Sequence, residues 1–392
     1  MKISPKNILI IITAAALLSA IFVLSCTKNE PPVVIGAALS LSGSGSYVGE
    51  EVRDGMALAA DEINSRGGIN GRKVEIVVKN ALMPDGKISD ESAKSTFEEL
   101  EKANPLIIVS SLSFVSMKLA TIAEEKKRLL VGLVATVPEL THNRDWVYRY
   151  WTTAEHEAPP MADIFLEIEA ESKSMSKGSS ENQNGNNNGD GVLGVIYLDD
   201  AYGGSVFKDI EKRGKDKNIS IKPSAFPSDT KDFTAYVDAL KESDAVVIIG
   251  FDFHIINILK ALRSSNYKGE IISTTTATLP SVTSTPESDG VHVTAPALYN
   301  KNYPFADQVK GRYEAKFGKP FTQYSANGYD FVYILMGLLE DKQMNQETVK
   351  AIFEKGFVYS GVFGNIELKK GSKDILFPLF PAKIKNGEVI YR

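Results

Sequence analysis

The sequence predicts an α/β protein with two lobes, each built on a parallel sheet that helices cover on both faces. Short continuous runs of apolar, often β-branched residues alternate with amphipathic stretches of helical period, which is typical of βαβ units. The alternation runs through residues 33–134 and starts again near residue 157. Two such runs in a chain of 392 residues indicate two lobes of similar architecture, each large enough for its own core.

The first run predicts a regular succession of strands and helices. Its first helix carries an apolar stripe at helical spacing, and Gly67 and Gly68 follow that helix as an end signal. The predicted strands are Val33–Leu39, Val74–Lys79, Leu106–Val109 and Leu129–Val134. The predicted helices are Glu50–Ser65, Ser89–Lys102 and Val115–Lys126.

The second run repeats this pattern. Its predicted strands are Val192–Leu198, Ala245–Gly250 and Glu270–Ser273. Its predicted helices, with two more that follow towards the C-terminus, are Glu157–Glu171, Val206–Arg213, Phe233–Glu242, Ile255–Ser265, Phe305–Phe317 and Tyr324–Glu340.

Two segments depart from the α/β pattern. Residues 383–389 predict a β-hairpin that turns at Asn386-Gly387. Residues 172–191 are rich in Ser, Lys, Asn and Gly and lack the apolar residues that would offset the entropy of ordering the chain. We expect them to form a disordered surface insert between a helix and a strand.

The N-terminus has the pattern of an export signal. Lys2 and Lys6 are followed by an uncharged stretch over residues 8–25, which fits a basic n-region and an apolar h-region. The tetrapeptide Val23-Leu24-Ser25-Cys26 resembles the bacterial lipobox, where the signal is cut before a cysteine that becomes acylated. This predicts a signal peptide over residues 1–25 and a tether over residues 26–32. An uncleaved membrane helix is the alternative, and both readings place the rest of the chain outside the cytoplasm.

Composition excludes several classes of protein. The formal net charge is −5 and falls to −7 once the signal is removed, which disfavours a nucleic-acid partner. A single cysteine, Cys26, permits no internal disulfide and no cysteine zinc cluster. The four histidines show no metal-site spacing, and no motif indicates a cofactor or a nucleophile elbow. We therefore expect no metal, no cofactor and no catalysis.

Polar loops follow several predicted strands, where ligands bind in parallel α/β sheets. These loops are Ser40–Gly49, Ser110–Ser113, Ala135–Thr141 and Asp199–Ser205. The glycine spacing of the first loop fits neither a dinucleotide fingerprint nor a P-loop. Hydroxyls at a helix start suit a carboxylate ligand, although a simple N-cap explains them equally. Tyr202 in the last loop is either a ligand contact or a core residue.

The motifs together resemble those of a known family. The segments Ile35–Ser40 and Gly67–Gly71, with Ala135–Thr141 and Asp199–Gly203, are similar to leucine/isoleucine/valine-binding proteins, the type I periplasmic solute-binding proteins of ABC importers. The resemblance implies two doubly wound lobes joined by three crossovers that act as a hinge around the ligand. It divides the chain into lobe 1, residues 33–153 and 296–370, and lobe 2, residues 154–295 and 371–392.

The resemblance also implies a ligand site. Ser113, together with the loop carrying Val134 and Thr136, would hold the carboxylate and part of the ammonium group of an amino acid. The aromatic residues Tyr202 and Phe251 would contact the ligand from lobe 2.

One feature of the family is missing at the ammonium end of this site. Amino-acid binders of the family place an acid after the strand that corresponds to Glu270–Ser273, but this chain has Thr274, Thr275 and Thr276 there. Asp252 is the candidate replacement for the missing acid.

These features predict a lipid-anchored substrate-binding protein that captures an amino acid or related small carboxylate for an ABC permease. A ligand-sensing receptor of the same fold is the alternative, and an extracytoplasmic enzyme is a third, weaker hypothesis. The anchor would attach the protein to a bacterial membrane at Cys26, with the lobes facing the periplasm or the cell exterior.

The anchor gives the first prediction. Replacing Cys26→Ala removes the only thiol that a lipoprotein pathway could acylate, so we expect release of the protein from membranes or accumulation of the unprocessed precursor. Fractionation and intact mass measure both. A wild-type mass that still includes residues 1–25 would contradict lipoprotein processing.

Overall fold

The computed structural model describes residues 30–43, 45–178 and 191–392. The predicted signal peptide and Cys26 lie outside these residues. The described residues form fifteen strands in two sheets. They are β1 Val33–Leu39, β2 Val74–Asn80, β3 Ile107–Ser111, β4 Leu130–Leu133, β5 Val147–Tyr150, β6 Val192–Leu198, β7 Ser220–Phe226, β8 Ala245–Ile249, β9 Glu270–Ser273, β10 His292–Pro296, β11 Phe357–Gly361, β12 Gly364–Leu368, β13 Asp374–Leu376, β14 Leu379–Lys385 and β15 Glu388–Tyr391.

Eleven α-helices accompany the strands in the described part of the chain. They are α1 Ser46–Ser65, α2 Asp90–Glu101, α3 Ser113–Lys126, α4 Ala154–Gly178, α5 Ala201–Lys217, α6 Thr234–Asp238, α7 Asp252–Ser264, α8 Pro280–Thr283, α9 Pro304–Phe317, α10 Gln323–Leu338 and α11 Gln346–Lys355.

The two sheets share the order and the parallel pairing of their first five strands, which confirms the predicted fold class of two doubly wound α/β lobes. The sheet of lobe 1 has the order β2-β1-β3-β4-β5-β13-β12-β11, and the sheet of lobe 2 has the order β7-β6-β8-β9-β10-β14-β15. Pairing is parallel from β2 through β13 and from β7 through β10. In each lobe the first strand lies between the second and third, so the strand order reverses at β1/β3 and at β6/β8.

The chain passes between the sheets three times. The passages lie at residues 151–153, 297–303 and 377–378, between strands or helices that belong to different sheets. The last passage corrects the predicted boundary at residue 371. β13 pairs in parallel with β5, so residues 374–376 still belong to the sheet of lobe 1, and the chain enters lobe 2 only with β14.

The prediction of a disordered insert over residues 172–191 is wrong for its first residues. The backbone of α4 remains helical to Gly178, because the insert continues a helix whose preceding turns pack on lobe 2. Residues 179–190 lie outside the described residues. Several elements had no counterpart in the sequence prediction, namely β5, β7, β10, β11, β12, β13, α8 and α11. The hairpin at Asn386-Gly387 is confirmed, with both residues at positive φ.

Within lobe 1, the helices α1 and α10 pack in very close contact. A Cβ placed on Gly55 of α1 would overlap the carbonyl oxygen of Ser325 on α10, and a Cβ on Gly328 would overlap the carbonyl oxygen of Val52. Glycine at these two buried positions therefore lets the two helix backbones approach each other directly. This contact places α10, which carries residues of the cleft described below, against the first βα unit of lobe 1.

This contact gives the second prediction. We expect Gly55→Ala to lower the free energy of unfolding by about 1–3 kcal/mol, because the added methyl group would push α1 and α10 apart. Gly311→Ala is the matched control: this glycine lies on the exposed face of α9 with open space at its Cβ, so alanine should stabilise by about 0.5–1 kcal/mol. Denaturant titration measures both, and equal stability of the two variants would contradict the close contact.

Candidate ligand-binding cleft

A cleft lies between the lobes, at the carboxyl ends of strands in both sheets. This is the edge at which parallel α/β sheets bind ligands. Helices α3 of lobe 1 and α5 of lobe 2 touch across it. The lining residues are Leu112, Ser113, Phe114, Val134, Thr136, Trp151, Glu157, Asp200, Ala201, Tyr202, Phe251, Thr275, Thr276 and Tyr324.

Lobe 1 contributes a set of hydrogen-bond donors. Ser113 is the first residue of α3, and its Oγ accepts the backbone N–H of Thr136 at 3.1 Å. The hydroxyl proton of Ser113 is therefore not used in that bond and can be donated to a ligand. Within the described residues no side chain caps the N-terminus of α3, so its first N–H groups also face the cleft end. This arrangement differs from the N-cap role considered for Ser113, since Leu112 holds the cap position.

The backbone is strained at two cleft residues. Leu112 has a φ of 64° and Val134 a φ of 54°, both in the left-handed region that branched side chains rarely adopt. Such conformations cost about 1–3 kcal/mol each and cluster at binding and active sites. These backbone conformations lie in the loops after β3 and β4, where the N–H of Thr136 donates to the hydroxyl of Ser113.

Arg149 on β5 holds the loop that carries Thr136. Its guanidinium is 1% exposed, donates to the carbonyl of Val137 at 2.6 Å, and pairs with Asp374 of β13 at 2.8 Å. Ala154, the first residue of α4, donates its N–H to the carbonyl of Thr136 at 3.2 Å. The loop after β4 is thus bonded to both sides of the first passage between the lobes.

Glu157, near the start of α4, is the most unusual group in the cleft. Its side chain is buried, and one carboxylate oxygen, Oε1, accepts the hydroxyls of Thr152 at 3.1 Å and Thr275 at 3.0 Å. The other oxygen, Oε2, is buried without a hydrogen-bond partner among the described residues. Burial raises the pKa of Glu157 from 4.5 to about 7, and the two threonine hydroxyls only partly oppose this.

Aromatic side chains form the apolar part of the cleft. Trp151 stacks on Tyr324 with ring centroids 5.9 Å apart, and Phe251 lies on the lobe 2 side. Tyr202, in the first turn of α5, donates its hydroxyl to Thr274 Oγ1 at 3.2 Å. Together with Leu112, these rings line the apolar side of the cleft.

Two further acids lie near the cleft. Asp200 lines it, but its Oδ1 accepts the N–H of Gly203 at 2.8 Å and caps α5. Asp252 is not among the lining residues. It is the first residue of α7, where an acid is favourable, and its carboxylate accepts from the N–H of Phe253 and the hydroxyl of Ser281, both at 2.8 Å.

The structure therefore brings five of the six predicted ligand residues together: Ser113, Val134, Thr136, Tyr202 and Phe251 line one cleft. Asp252 lies beside it. Sequence reasoning did not single out Glu157, Trp151 or Tyr324. Glu157 was predicted only as the start of a helix. Its position directly after a passage between the lobes is the feature of the sequence that could have identified it.

The described residues were searched for metal-site clusters and for membrane-spanning helices. No group of histidines, cysteines and acids in them has the arrangement of a metal site. In that same part of the chain, each helix is too short or too polar to cross a bilayer.

Comparison with known proteins agrees with this geometry. The family model described as periplasmic binding protein matches residues 32–388. A Leu/Ile/Val-binding protein homolog 8 of Brucella abortus (strain 2308) is 26% identical over 261 residues, which is 65% of this chain and 59% of that protein. The chain thus aligns with about three fifths of the length of this curated relative.

Solved structures share the fold. The leucine binding protein LivK of Thermotoga maritima MSB8 superposes with a TM-score of 0.75 and 21% identity, covering 92% of this chain and 97% of the other. A solute binding protein of an ABC transporter from Rhodopseudomonas palustris BisB5, in complex with 3,4-dihydroxy benzoic acid, also gives 0.75 at 15% identity, covering 92% and 95%.

Two similar α/β lobes, with a cleft between the carboxyl ends of their strands, define a two-lobed ligand-binding protein. The chain belongs to the periplasmic binding protein family and has its type I fold. This family consists of extracytoplasmic substrate-binding proteins and not of enzymes.

The buried carboxyl gives the third prediction. Because the folded pKa of Glu157 lies above its ordinary value, the carboxyl stabilises the ligand-free protein only while protonated, and this contribution is lost as the pH rises from 4.5 to about 7. We compare the free energy of unfolding of Glu157→Gln with that of wild type. The variant's advantage should be about 2 kcal/mol larger at pH 8 than at pH 5.

Glu51 and Asp330 also have pKa values raised to about 7 by burial, but they are present in both proteins, so their effect cancels in the difference. Urea unfolding at the two pH values measures the change. A difference between variant and wild type that stays constant with pH would show that Glu157 titrates normally.

Proposed function

We propose that this protein is the lipid-anchored substrate-binding component of an ABC importer and captures an amino acid or related small carboxylate between its lobes. The lipid at Cys26 would hold it at a bacterial membrane, and an ABC permease would receive the ligand. The family supports the extracytoplasmic binding role, and the lipobox-like sequence supports the anchor.

The observation that carries the ligand assignment is the donor set at the start of α3. The hydroxyl of Ser113 keeps its own proton for a ligand, and the first N–H groups of α3 have no side-chain cap. The hydroxyl of Thr136 lies in the same cleft. Neutral donors at a helix N-terminus suit a carboxylate better than a sugar or a cation.

The lobes supply different parts of the binding event. Lobe 1 carries the carboxylate donors, so an open protein would first bind the ligand there. Rotation about the three passages would then bring Tyr202 and Phe251 of lobe 2 onto the ligand. A ligand that contacts both lobes favours the closed form by its additional contacts in that form.

The apolar lining bears on the chemical class of the ligand side chain. Trp151, Tyr324 and Leu112 favour an aliphatic or aromatic group over a charged one. The names of the related proteins cover both branched-chain amino acids and an aromatic acid that lacks an amine. Both classes therefore belong in a ligand screen.

The donor set gives the fourth prediction. A thermal-shift screen of amino acids, other carboxylates, amides and sugars should find carboxylates that raise the melting temperature of the wild-type protein. For the best of them, Ser113→Ala and Thr136→Ala should each weaken binding by about 1–3 kcal/mol, because a charged group loses a hydrogen bond.

Thr121→Ala is the matched control, since it removes a hydroxyl from the exposed side of the same helix α3. Calorimetric titration of the three variants compares the affinities. Unchanged affinity in both cleft variants would contradict their role as ligand contacts. A melting temperature that responds to sugars and to no carboxylate would contradict the ligand class.

A further inference from the structure

The end of lobe 1 that lies opposite the cleft carries a concentration of basic residues. It is formed by the segments that lead into strands β1–β5 and β13 at their amino ends. These segments contain ten lysines and arginines but two acids, in a chain whose formal net charge is −5. We call this surface the basic pole. Its segments are residues 30–32, 66–73, 102–106, 127–129, 141–146 and 369–373.

A further loop, residues 339–345, lies against the basic pole and changes its charge little. Asn70 joins the two by donating to the carbonyl of Leu339 at 3.2 Å and to that of Lys342 at 3.4 Å. The loop adds one lysine and two acids, so the pole keeps a large excess of positive charge.

The corresponding end of lobe 2 has the opposite charge. Its described segments contain two lysines and four acids. They are residues 218–219, 239–244, 265–269, 284–291 and 386–387. The basic charge is therefore a property of one pole and does not follow from the fold, which places the amino ends of strands at both.

The predicted lipid tether leaves the protein at the basic pole. Arg72 fixes the exit point, because its guanidinium donates to the carbonyl of Pro31 at 2.7 Å and to that of Pro32 at 3.3 Å. Five Cα steps separate Pro31 from Cys26, and a chain of that length spans at most about 18 Å in any conformation. A lipid at Cys26 would therefore keep the basic pole close to the bilayer that holds it.

An aromatic residue flanked by lysines lies on the same pole. Trp146 is half-buried and precedes β5, which is three strand spacings, or about 14 Å, from β1 in the sheet. Nζ of Lys350 lies 4.9 Å from the ring centre of Trp146, and Nζ of Lys373 lies 4.4 Å from the ring centre of Tyr148. Aromatic rings beside lysines are typical of protein surfaces at the membrane–water interface, where the ring lies at headgroup level.

We propose that the basic pole is a second membrane contact, which binds anionic phospholipid headgroups of the bilayer that carries the lipid anchor. The inference rests on the proposed function through the anchor at Cys26, and it adds an interaction surface far from the ligand cleft. An acyl anchor and a basic surface reinforce each other, because the anchor holds the lysines within the short range over which charges act in salt solution.

The tether side of the pole is less suited to an anionic lipid. A groove beside the tether is lined by Arg72 and Arg128 but also by Glu75 and Glu347, so its charges balance. Arg128 in addition approaches Glu101 at 3.5 Å. The lipid contact should therefore lie on the other side, at the amino ends of β4, β5 and β13.

That other side presents lysines that are free to bind a phosphate group. Lys127 before β4 and both Lys369 and Lys370 before β13 are exposed, and none of the three forms an ion pair in the described part of the chain. Glu124, at the end of α3, is already engaged, since it accepts the backbone N–H of Trp146 at 3.0 Å. Lysines at a bilayer surface each add to the attraction for anionic lipid.

Quenching of tryptophan fluorescence by brominated lipid tests the contact. The lipidated protein, extracted whole from membranes, is reconstituted into vesicles of phosphatidylcholine that is partly brominated, either alone or with about 30% phosphatidylglycerol. The chain has two tryptophans, and Trp151 lies in the cleft between the lobes. The difference between wild type and Trp146→Phe therefore isolates the signal of Trp146.

Charge reversal locates the contact on the protein. Lys127→Glu and the double variant Lys369→Glu/Lys370→Glu change the proposed lipid-binding side. The matched control is Lys241→Glu/Lys268→Glu, which reverses two exposed lysines at the corresponding end of lobe 2. Mass spectrometry of each protein confirms the lipid at Cys26.

We expect the quenching of Trp146 in anionic vesicles to be at least about twofold that in neutral vesicles. It should fall to the neutral level in both pole variants, and the lobe 2 control should behave as wild type. In wild type it should also fall to the neutral level in about 0.5 M salt, because salt screens exposed charges. The salt measurement needs no variant and so does not depend on the folding of one.

Several results would overturn the inference. They are equal quenching in the two kinds of vesicle, quenching that survives the pole variants or high salt, an equal loss in the lobe 2 control, and a dependence on lipid charge that persists in Trp146→Phe. An unquenched Trp146 in anionic vesicles would indicate that the pole serves an acidic protein partner instead, and would equally overturn it.

These outcomes differ from a failure of the proposed function. With a lipid on Cys26 and ligand binding retained, each of them leaves the anchored binding protein intact. A protein that carries no lipid and binds neither kind of vesicle would contradict both the anchor and the inference. An unlipidated protein that binds only anionic vesicles, with Trp146 quenched, would support the inference and contradict the anchor.

Discussion

The buried ion pair between Arg149 and Asp374 is the interaction on which the cleft depends. It joins β5 to β13, the two strands that lead into the first and third passages between the lobes. The same guanidinium bonds to the carbonyl of Val137, in the loop that presents Thr136. One side chain therefore fixes the loop after β4 relative to the first passage, and removal of either partner would leave a charge or several acceptors unsatisfied.

The residues around the cleft come from different parts of the chain. Ser113 and Thr136 belong to the loops after β3 and β4, in which Leu112 and Val134 have positive φ. The buried acid Glu157 belongs to the first turn of α4, just after the first passage between the lobes. A backbone hydrogen bond from Ala154 to Thr136 joins the loop after β4 to the start of that helix.

The sequence predicted the fold well where strands are buried on both faces. β1 and β6 begin and end at the predicted residues because each is a continuous apolar run between polar loops. β9 also matches its predicted bounds, around the apolar pair Ile271 and Ile272. β7 escaped prediction because it is an edge strand with exposed residues and Pro223 in its middle. β5 escaped because its third residue is Arg149, whose burial depends on an acid far along the chain.

The same distinction applies to the site. Ser113, Thr136 and Tyr202 could be predicted because they follow strands, and the carboxyl ends of parallel strands meet at one edge. Glu157 could not, since its environment is created by Thr152 and Thr275, and only the folded chain brings the latter near. Asp252 was chosen for its charge, and local structure explains it better, because an acid at the first position of α7 stabilises the helix on its own.

The unpartnered oxygen of Glu157 has a consequence for the empty protein. Burial favours the protonated form of this carboxyl, so a cleft that closes without a partner for Oε2 would take up a proton from solution. The balance between the open and closed forms of the empty protein would then depend on the acidity of the compartment that the cleft faces.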